Sequence, residues 1–230
     1  MHKKNIMSQN NTVLSYKESL LRESDVDLLK GPYWLNDTII SFYFEYLETE
    51  RFKNKKMLLF VPPEVTQCIK IAPEQEIHVF LDPLLAEANR KFMFFALNDH
   101  ELTESSGGSH WSLLVFSRPE GCFFHFDSSN GTNHQQAYEL SQKLIFYFKM
   151  HTHQYEDSMC LQQNNGYDCG IHVLCNTENL SHFALHYNKI DGCPLIEAKV
   201  VGHKRLEILD IIENLQKHNS FSNYLSLRKL

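Results

Sequence analysis

No apolar run in this sequence approaches the roughly 20 residues that a membrane-crossing helix needs. A membrane partner is therefore not expected. The opening residues, Met1-His2-Lys3-Lys4-Asn5, run into polar Ser8-Gln9-Asn10-Asn11 rather than a signal-peptide core. Secretion is not expected either, and the chain should work inside the cell, in cytoplasm or nucleus. There is no CxxC, no HExxH and no short His/Cys pair of the zinc-finger kind. Thirteen histidines and six cysteines thus carry no metal-ligand spacing, and neither a metal nor any other cofactor is expected. The cysteines (Cys68, Cys122, Cys160, Cys169, Cys175 and Cys193) also lack paired spacing and should stay reduced, which leaves a thiol available for chemistry. Lys and Arg form no stripe and the formal charge is −6, so nucleic acid is not an expected partner and one with some positive surface is. Internal repeats and low-complexity blocks are absent too.

What is there is 230 residues, 43% of them hydrophobic, enough for one domain with a substantial core. Residues 1–12 are polar and without periodicity and read as a flexible tail, so the folded body is expected to span 13–230. After Gly31-Pro32, the run Trp34-Leu35-Asn36-Asp37 opens a helical spacing of Ile39, Ile40, Tyr43, Phe44 and Leu47. A helix to about Glu50 follows, with Asn36 or Asp37 as its cap. Met57 to Val61 is a short apolar run closed by Pro62-Pro63, and Glu64 to Leu85 suggests one or two short helices. Lys91 to Leu97 reads as a buried strand, and the polar stretch Asn98 to Ser109 as a flexible loop. His110 to Phe116 and Cys122 to Asp127 are strand-like runs joined by Ser117-Arg118-Pro119-Glu120-Gly121, a turn that predicts an antiparallel hairpin. Helices are expected over Gln135 to Met150, after Cys169, and over Lys204 to Gln216. The pattern gives an α+β fold, an antiparallel sheet with helices packed around it.

Cys169 has the setting a nucleophilic thiol needs. A cysteine attacks a carbonyl as thiolate, and a helix N-terminus favours that form. Asn164-Asn165-Gly166-Tyr167-Asp168-Cys169-Gly170 is a turn-forming run just before an apolar helical pattern, which puts the sulfur in the first turn. Gly170 is expected to leave room for a substrate backbone. Cys122, Cys160 and Cys175 lie among apolar neighbours and read as small buried hydrophobes. The hairpin selects the base. His110 begins its first strand and Asp127 ends its second, which brings them within a residue or so of directly opposite, on faces that the sequence leaves open. A carboxylate beside an imidazole fixes its tautomer and supports the imidazolium. Gln163, six residues before Cys169, can donate to a developing oxyanion together with the Cys169 N–H, with Gln162 as the adjacent competitor.

Together, Gly107-Gly108-Ser109-His110-Trp111-Ser112, Phe123-Phe124-His125-Phe126-Asp127-Ser128 and Gln163-Asn164-Asn165-Gly166-Tyr167-Asp168-Cys169-Gly170 resemble the sentrin/SUMO-specific (Ulp-type) cysteine proteases, in the order His, Asp, Cys. The similarity covers most of the chain from Val13 onward. It looks closest to the deneddylase branch through Val13-Leu14-Ser15-Tyr16, Ser19-Leu20-Leu21-Arg22 and Pro63-Glu64-Val65-Thr66-Gln67. The resemblance implies a papain-like/adenain-type fold and cleavage after the C-terminal Gly-Gly of a ubiquitin-like modifier, here the neddylation modifier, from conjugates or from a precursor. It implies His110, Asp127 and Cys169 as the triad, Gln163 at the oxyanion, and the modifier and its conjugates as partners; a monomer is expected. Trp34 and Trp111 are then walls of a slot that only glycines can thread, and Asp37 and Asn98 hold an arginine and the backbone of the modifier's tail. Trp34 as a core residue and Asp37 as a helix cap remain open. So do a desumoylase, a non-catalytic module that binds a ubiquitin-like protein, and an acetyltransferase reusing the same residue set.

Overall fold

In a computed structural model of the protein, which describes residues 10–86, 89–101, 107–151 and 154–227 with side chains through 218, a five-stranded sheet forms the centre. Its strands are β3 (Leu58–Val61), β4 (Phe92–Asn98), β5 (Trp111–Ser117), β6 (Cys122–Phe126) and β7 (Gln154–Ser158), side by side in that order. The middle of the sheet is antiparallel, as the hairpin predicted. Both edges differ: β3 runs parallel to β4 and β7 parallel to β6, so the sheet is mixed. Each edge strand is reached through helices, the connection a parallel neighbour requires.

Helices cover both faces. On one lie α2 (Asp37–Tyr46), which continues in a π-helical turn over Leu47–Arg51, and α6 (Cys169–Tyr187). The other face carries α3 (Pro63–Ile71), α4 (Ile77–Leu85) and α5 (His134–Phe148). Two-sided coverage explains why Phe92 to Leu97 reads as one continuous apolar run. Phe92, Phe94 and Ala96 enter one core, and Met93, Phe95 and Leu97 the other.

The remaining elements brace the α2 side. β1 (Thr12–Tyr16) and β2 (Ser19–Arg22) form a separate antiparallel ribbon, followed by α1 (Glu23–Asp27). Residues 1–9 of the expected tail lie outside the described residues, whereas Asn10 and Asn11 hydrogen-bond to Ser24 and Glu23. The last helix, α7 (Ala198–Leu227), packs on α6 through Ile208 and Ile212. Lys204, buried between them, bonds Glu178 at 2.7 Å and the Tyr43 hydroxyl at 3.0 Å, so an ion pair rather than an apolar contact joins α2, α6 and α7. Among the described residues no helix is long and apolar enough to cross a membrane.

Candidate active site

Cys169 is the first residue of α6. The run before it turns because the Asn165 side-chain oxygen accepts the N–H groups of Tyr167 and Asp168, each at 3.0 Å. Asp168 occupies the cap position without a side-chain cap bond, so no side chain covers the start of a 19-residue helix. The thiol therefore sits at the positive end of the helix dipole. It is 2% exposed. Gly170 does not serve as expected. A Cβ there would stand 3.0 Å from the Leu35 Cβ, so its missing side chain admits Leu35, not a substrate backbone.

His110 and Asp127 flank the hairpin ends. The register pairs Leu113 with Phe126, and one more step sets Ser112 against Asp127. His110 is therefore one pleat away along the same face, a diagonal offset larger than the sequence suggested but on a shared side of the sheet. His110 Nε2 meets Asp127 Oδ1 at 2.6 Å. That leaves Nδ1 as the other ring nitrogen, and the Cys169 thiol lines the same cleft, close enough to the ring to act on its pKa. Burial pulls the His110 pKa down, but the bond to Asp127 and the nearness of the Asp127 and Cys169 groups outweigh it and push the value up to about 9. For Asp127, burial raises the pKa, and the His110 bond with the backbone N–H groups of Asn133 and Ser129 overturns that, holding it below the ordinary carboxylate value. The carboxylate thus stays charged and fixed on three donors.

The two glutamines separate. Gln162 turns its amide nitrogen back to the carbonyls of Asp127 and Cys160, at 3.0 and 3.1 Å, and its oxygen accepts Asn130 N–H. Both of its ends are committed to the loop that carries Asp127. Gln163 accepts the Ser128 hydroxyl at 2.8 Å and donates one amide hydrogen to the Asn165 carbonyl at 2.7 Å. Its other amide hydrogen has no partner among these bonds.

Trp34, Asp37, Asn98, His110, Trp111 and Cys169 line one cleft of about 670 Å³. Gln163 and Asp127 are not among its lining residues. Trp34 is 50% exposed, so the reading of a core tryptophan fails, and its indole N–H donates to the Gly166 carbonyl. Trp111 is 9% exposed and donates to the Leu35 carbonyl at 2.9 Å. Asn36, not Asp37, caps α2 through a 3.1 Å bond to Ile39 N–H. Asp37 is left exposed, and among the described residues its carboxylate accepts only the Thr38 N–H. Asn98 ends β4, and Gly108 (φ 106°) packs directly on its side-chain amide, which only a glycine permits. Of the expected flexible loop, residues 102–106 lie outside the described residues. Asp99 staples its two limbs by accepting the Ser109 and His110 N–H groups at 2.7 and 3.2 Å. Among the described residues no group of three or more His, Cys, Asp or Glu side chains is arranged to hold a metal ion.

Residues 88–218 match the Ulp1 protease family, C-terminal catalytic domain. Sentrin-specific protease 8 of Rattus norvegicus is 39% identical over 91% of this chain and 98% of its own length. NEDD8-specific protease 1 of Arabidopsis thaliana is 31% identical over 92% of this chain and 97% of its own. The chain belongs to the Ulp1 protease family. It is thus a cysteine protease, and the papain-like, α+β expectation agrees with the solved C-terminal Ulp1 protease domain in complex with Smt3, the yeast ortholog of SUMO. That structure superposes with a TM-score of 0.70 at 21% identity, over 90% of this chain and 89% of the other, a likeness of fold alone.

Sequence reasoning missed several residues that hold this Ulp1-family site together. Asn133 is buried, and its amide nitrogen donates to the His110 carbonyl at 3.3 Å and the Ser112 hydroxyl at 3.1 Å, while its backbone N–H serves Asp127. Nothing local marks it, because its partners are 6 to 23 residues away. Asn165 and Asp168 were visible as turn residues, but their bonds to Gln163 and to Arg205 were not.

Proposed function

We propose that this chain is a deneddylase, a protease and isopeptidase that cleaves after the C-terminal Gly-Gly of the neddylation modifier. Cys169 is its nucleophile, His110 its base, Asp127 the group that orients the base, and Gln163 an oxyanion donor. The observation that carries the catalytic part is the buried array in which Asp127 accepts Nε2 of His110 and the thiol at the start of α6 lines the same cleft close to that ring. The choice of modifier is supported by the relative named for NEDD8 specificity, which is similar along nearly its whole length.

The chemistry follows from the geometry. His110 Nδ1 takes the thiol proton, and the thiolate adds to the carbonyl carbon of the terminal glycine. The oxyanion formed is met by the free amide hydrogen of Gln163 and the Cys169 N–H; losing one such donor costs about 3–4 kcal/mol of transition-state stabilisation. Imidazolium then gives its proton to the leaving amine of the lysine or precursor tail as the C–N bond breaks. Water, deprotonated by the same ring, hydrolyses the thioester. Trp34 and Trp111 restrict the approach to a chain without side chains. The exposed Asp37 carboxylate suits an arginine in the modifier's tail, and Asn98 its backbone. The reading includes a monomeric catalytic domain over 13–230 working in cytoplasm or nucleus.

A panel of ubiquitin-like proteins bearing a C-terminal fluorogenic amide tests this directly. The neddylation modifier should turn over fastest and Cys169→Ala should abolish the signal. Preference for a SUMO substrate would make the enzyme a desumoylase, and turnover undiminished in Cys169→Ala would end the catalytic assignment.

A further inference from the structure

We infer that Arg205, on α7 and outside the cleft, is the positioning residue that sets the oxyanion amide of Gln163, acting through Asp168. The inference rests on the role given to Gln163 above. One guanidinium gathers three segments. Its Nε and Nη2 donate to Asp168 Oδ1 at 3.1 and 2.8 Å, Nη1 donates to the Leu28 carbonyl at 2.7 Å, and Nη2 donates to the Tyr33 carbonyl at 2.7 Å. It also lies 5.8 Å from the centre of the Tyr167 ring. A planar fork can serve a carboxylate and two carbonyls at once; an ammonium is a single point of charge and cannot keep this arrangement.

From Asp168 the constraint runs on toward the site. The second carboxylate oxygen of Asp168 accepts Asn165 Nδ2 at 2.8 Å. The Asn165 carbonyl in turn accepts Gln163 Nε2 at 2.7 Å. Three hydrogen-bonded links thus connect α7 to the Gln163 amide. The same loop carries Gly166, whose carbonyl holds the Trp34 indole, and Tyr33 beside that tryptophan is held by Arg205 itself. Cys169 and its partner His110 receive no bond from this chain of contacts. Loosening it should therefore degrade the oxyanion donor while leaving the thiol and the imidazole in place.

An ordinary tertiary staple would also lower stability when broken, so the test needs a readout that stability does not move. Arg205→Lys keeps the charge and Asp168→Asn keeps the shape, and each is combined with Gln163→Ala. Turnover of a fluorogenic amide of the neddylation modifier is measured, with kcat and KM separated. Gln163→Ala alone should lower kcat about 10²–10³-fold, and Arg205→Lys and Asp168→Asn on the order of tenfold each with KM nearly unchanged. In the Gln163→Ala background the losses from Arg205→Lys and Asp168→Asn should vanish, because the group they position is gone. Multiplicative losses in the double variants, or Arg205→Lys and Asp168→Asn at full kcat, would overturn the inference and leave the function standing. Full kcat in Gln163→Ala would instead remove the oxyanion assignment, and this inference with it.

Discussion

Among the described residues two carboxylates on β7 and beside β6 each bond a buried histidine, and only one of these two pairs has the surroundings a general base needs. His110 bonds Asp127 at 2.6 Å, and His125 bonds Asp157 at 2.9 Å. Both rings are buried. The carboxylates differ: Asp127 is buried and faces one histidine, whereas the Asp157 side chain is 47% exposed and is shared with His134 and the Tyr155 hydroxyl. The free ring nitrogens differ more. His110 has the Cys169 thiol near its ring in the cleft, while Nε2 of His125 is buried without a partner among the described residues. As a result, burial holds His125 below the ordinary histidine value despite its carboxylate, and His110 is pushed up to about 9. A His–Asp contact is therefore not enough to mark a base; what stands on the far side of the ring decides.

Breaking each pair should separate chemistry from stability. Asp127→Asn should lower kcat by about 10²–10⁴-fold, the range of a general acid–base contribution, with the fold retained in circular dichroism. Its pH profile is a second measurement. In the wild type the charged ring contributes stability that is complete below about 6.5 and lost as pH rises through about 9. Activity that depends on the imidazolium should fall across the same upper limit, and Asp127→Asn should move that alkaline limb to lower pH. Asp157→Ala is the smaller effect and has the opposite character. It leaves the buried Nδ1 of His125 without its partner, which should cost about 1–3 kcal/mol in urea unfolding. Turnover should stay within about twofold, since the reacting groups share no bond with Asp157.

The hairpin logic that selects His110 and Asp127 was readable because register and alternation are local properties of two runs joined by a short turn. The start of α6 at Cys169 was readable for a similar reason, as a turn-rich run gives way to an apolar period. β7 was not. Its residues, Gln154-Tyr155-Glu156-Asp157-Ser158, carry the polar character of an edge strand and no buried face. The two-residue offset of the His–Asp pair, the occupation of the space beside Gly170 by Leu35, and the reach of Arg205 across α7 depend on how distant segments pack. The six cysteines illustrate the same limit. Sequence separated Cys169 from Cys175 by its flanking turn and read Cys175 as buried, which pushes its thiol up to about 12, but it did not show that Lys204 of α7 and Glu178 stand near that thiol.

Treatment of the intact protein with the neddylation modifier carrying a C-terminal electrophile, followed by mass spectrometry of the adduct, is the most direct measurement. The arrangement of thiol, imidazole and carboxylate predicts a single covalent adduct on Cys169, lost in His110→Ala. An adduct on another cysteine, or full labelling of Cys169 without the His110 ring, would contradict it.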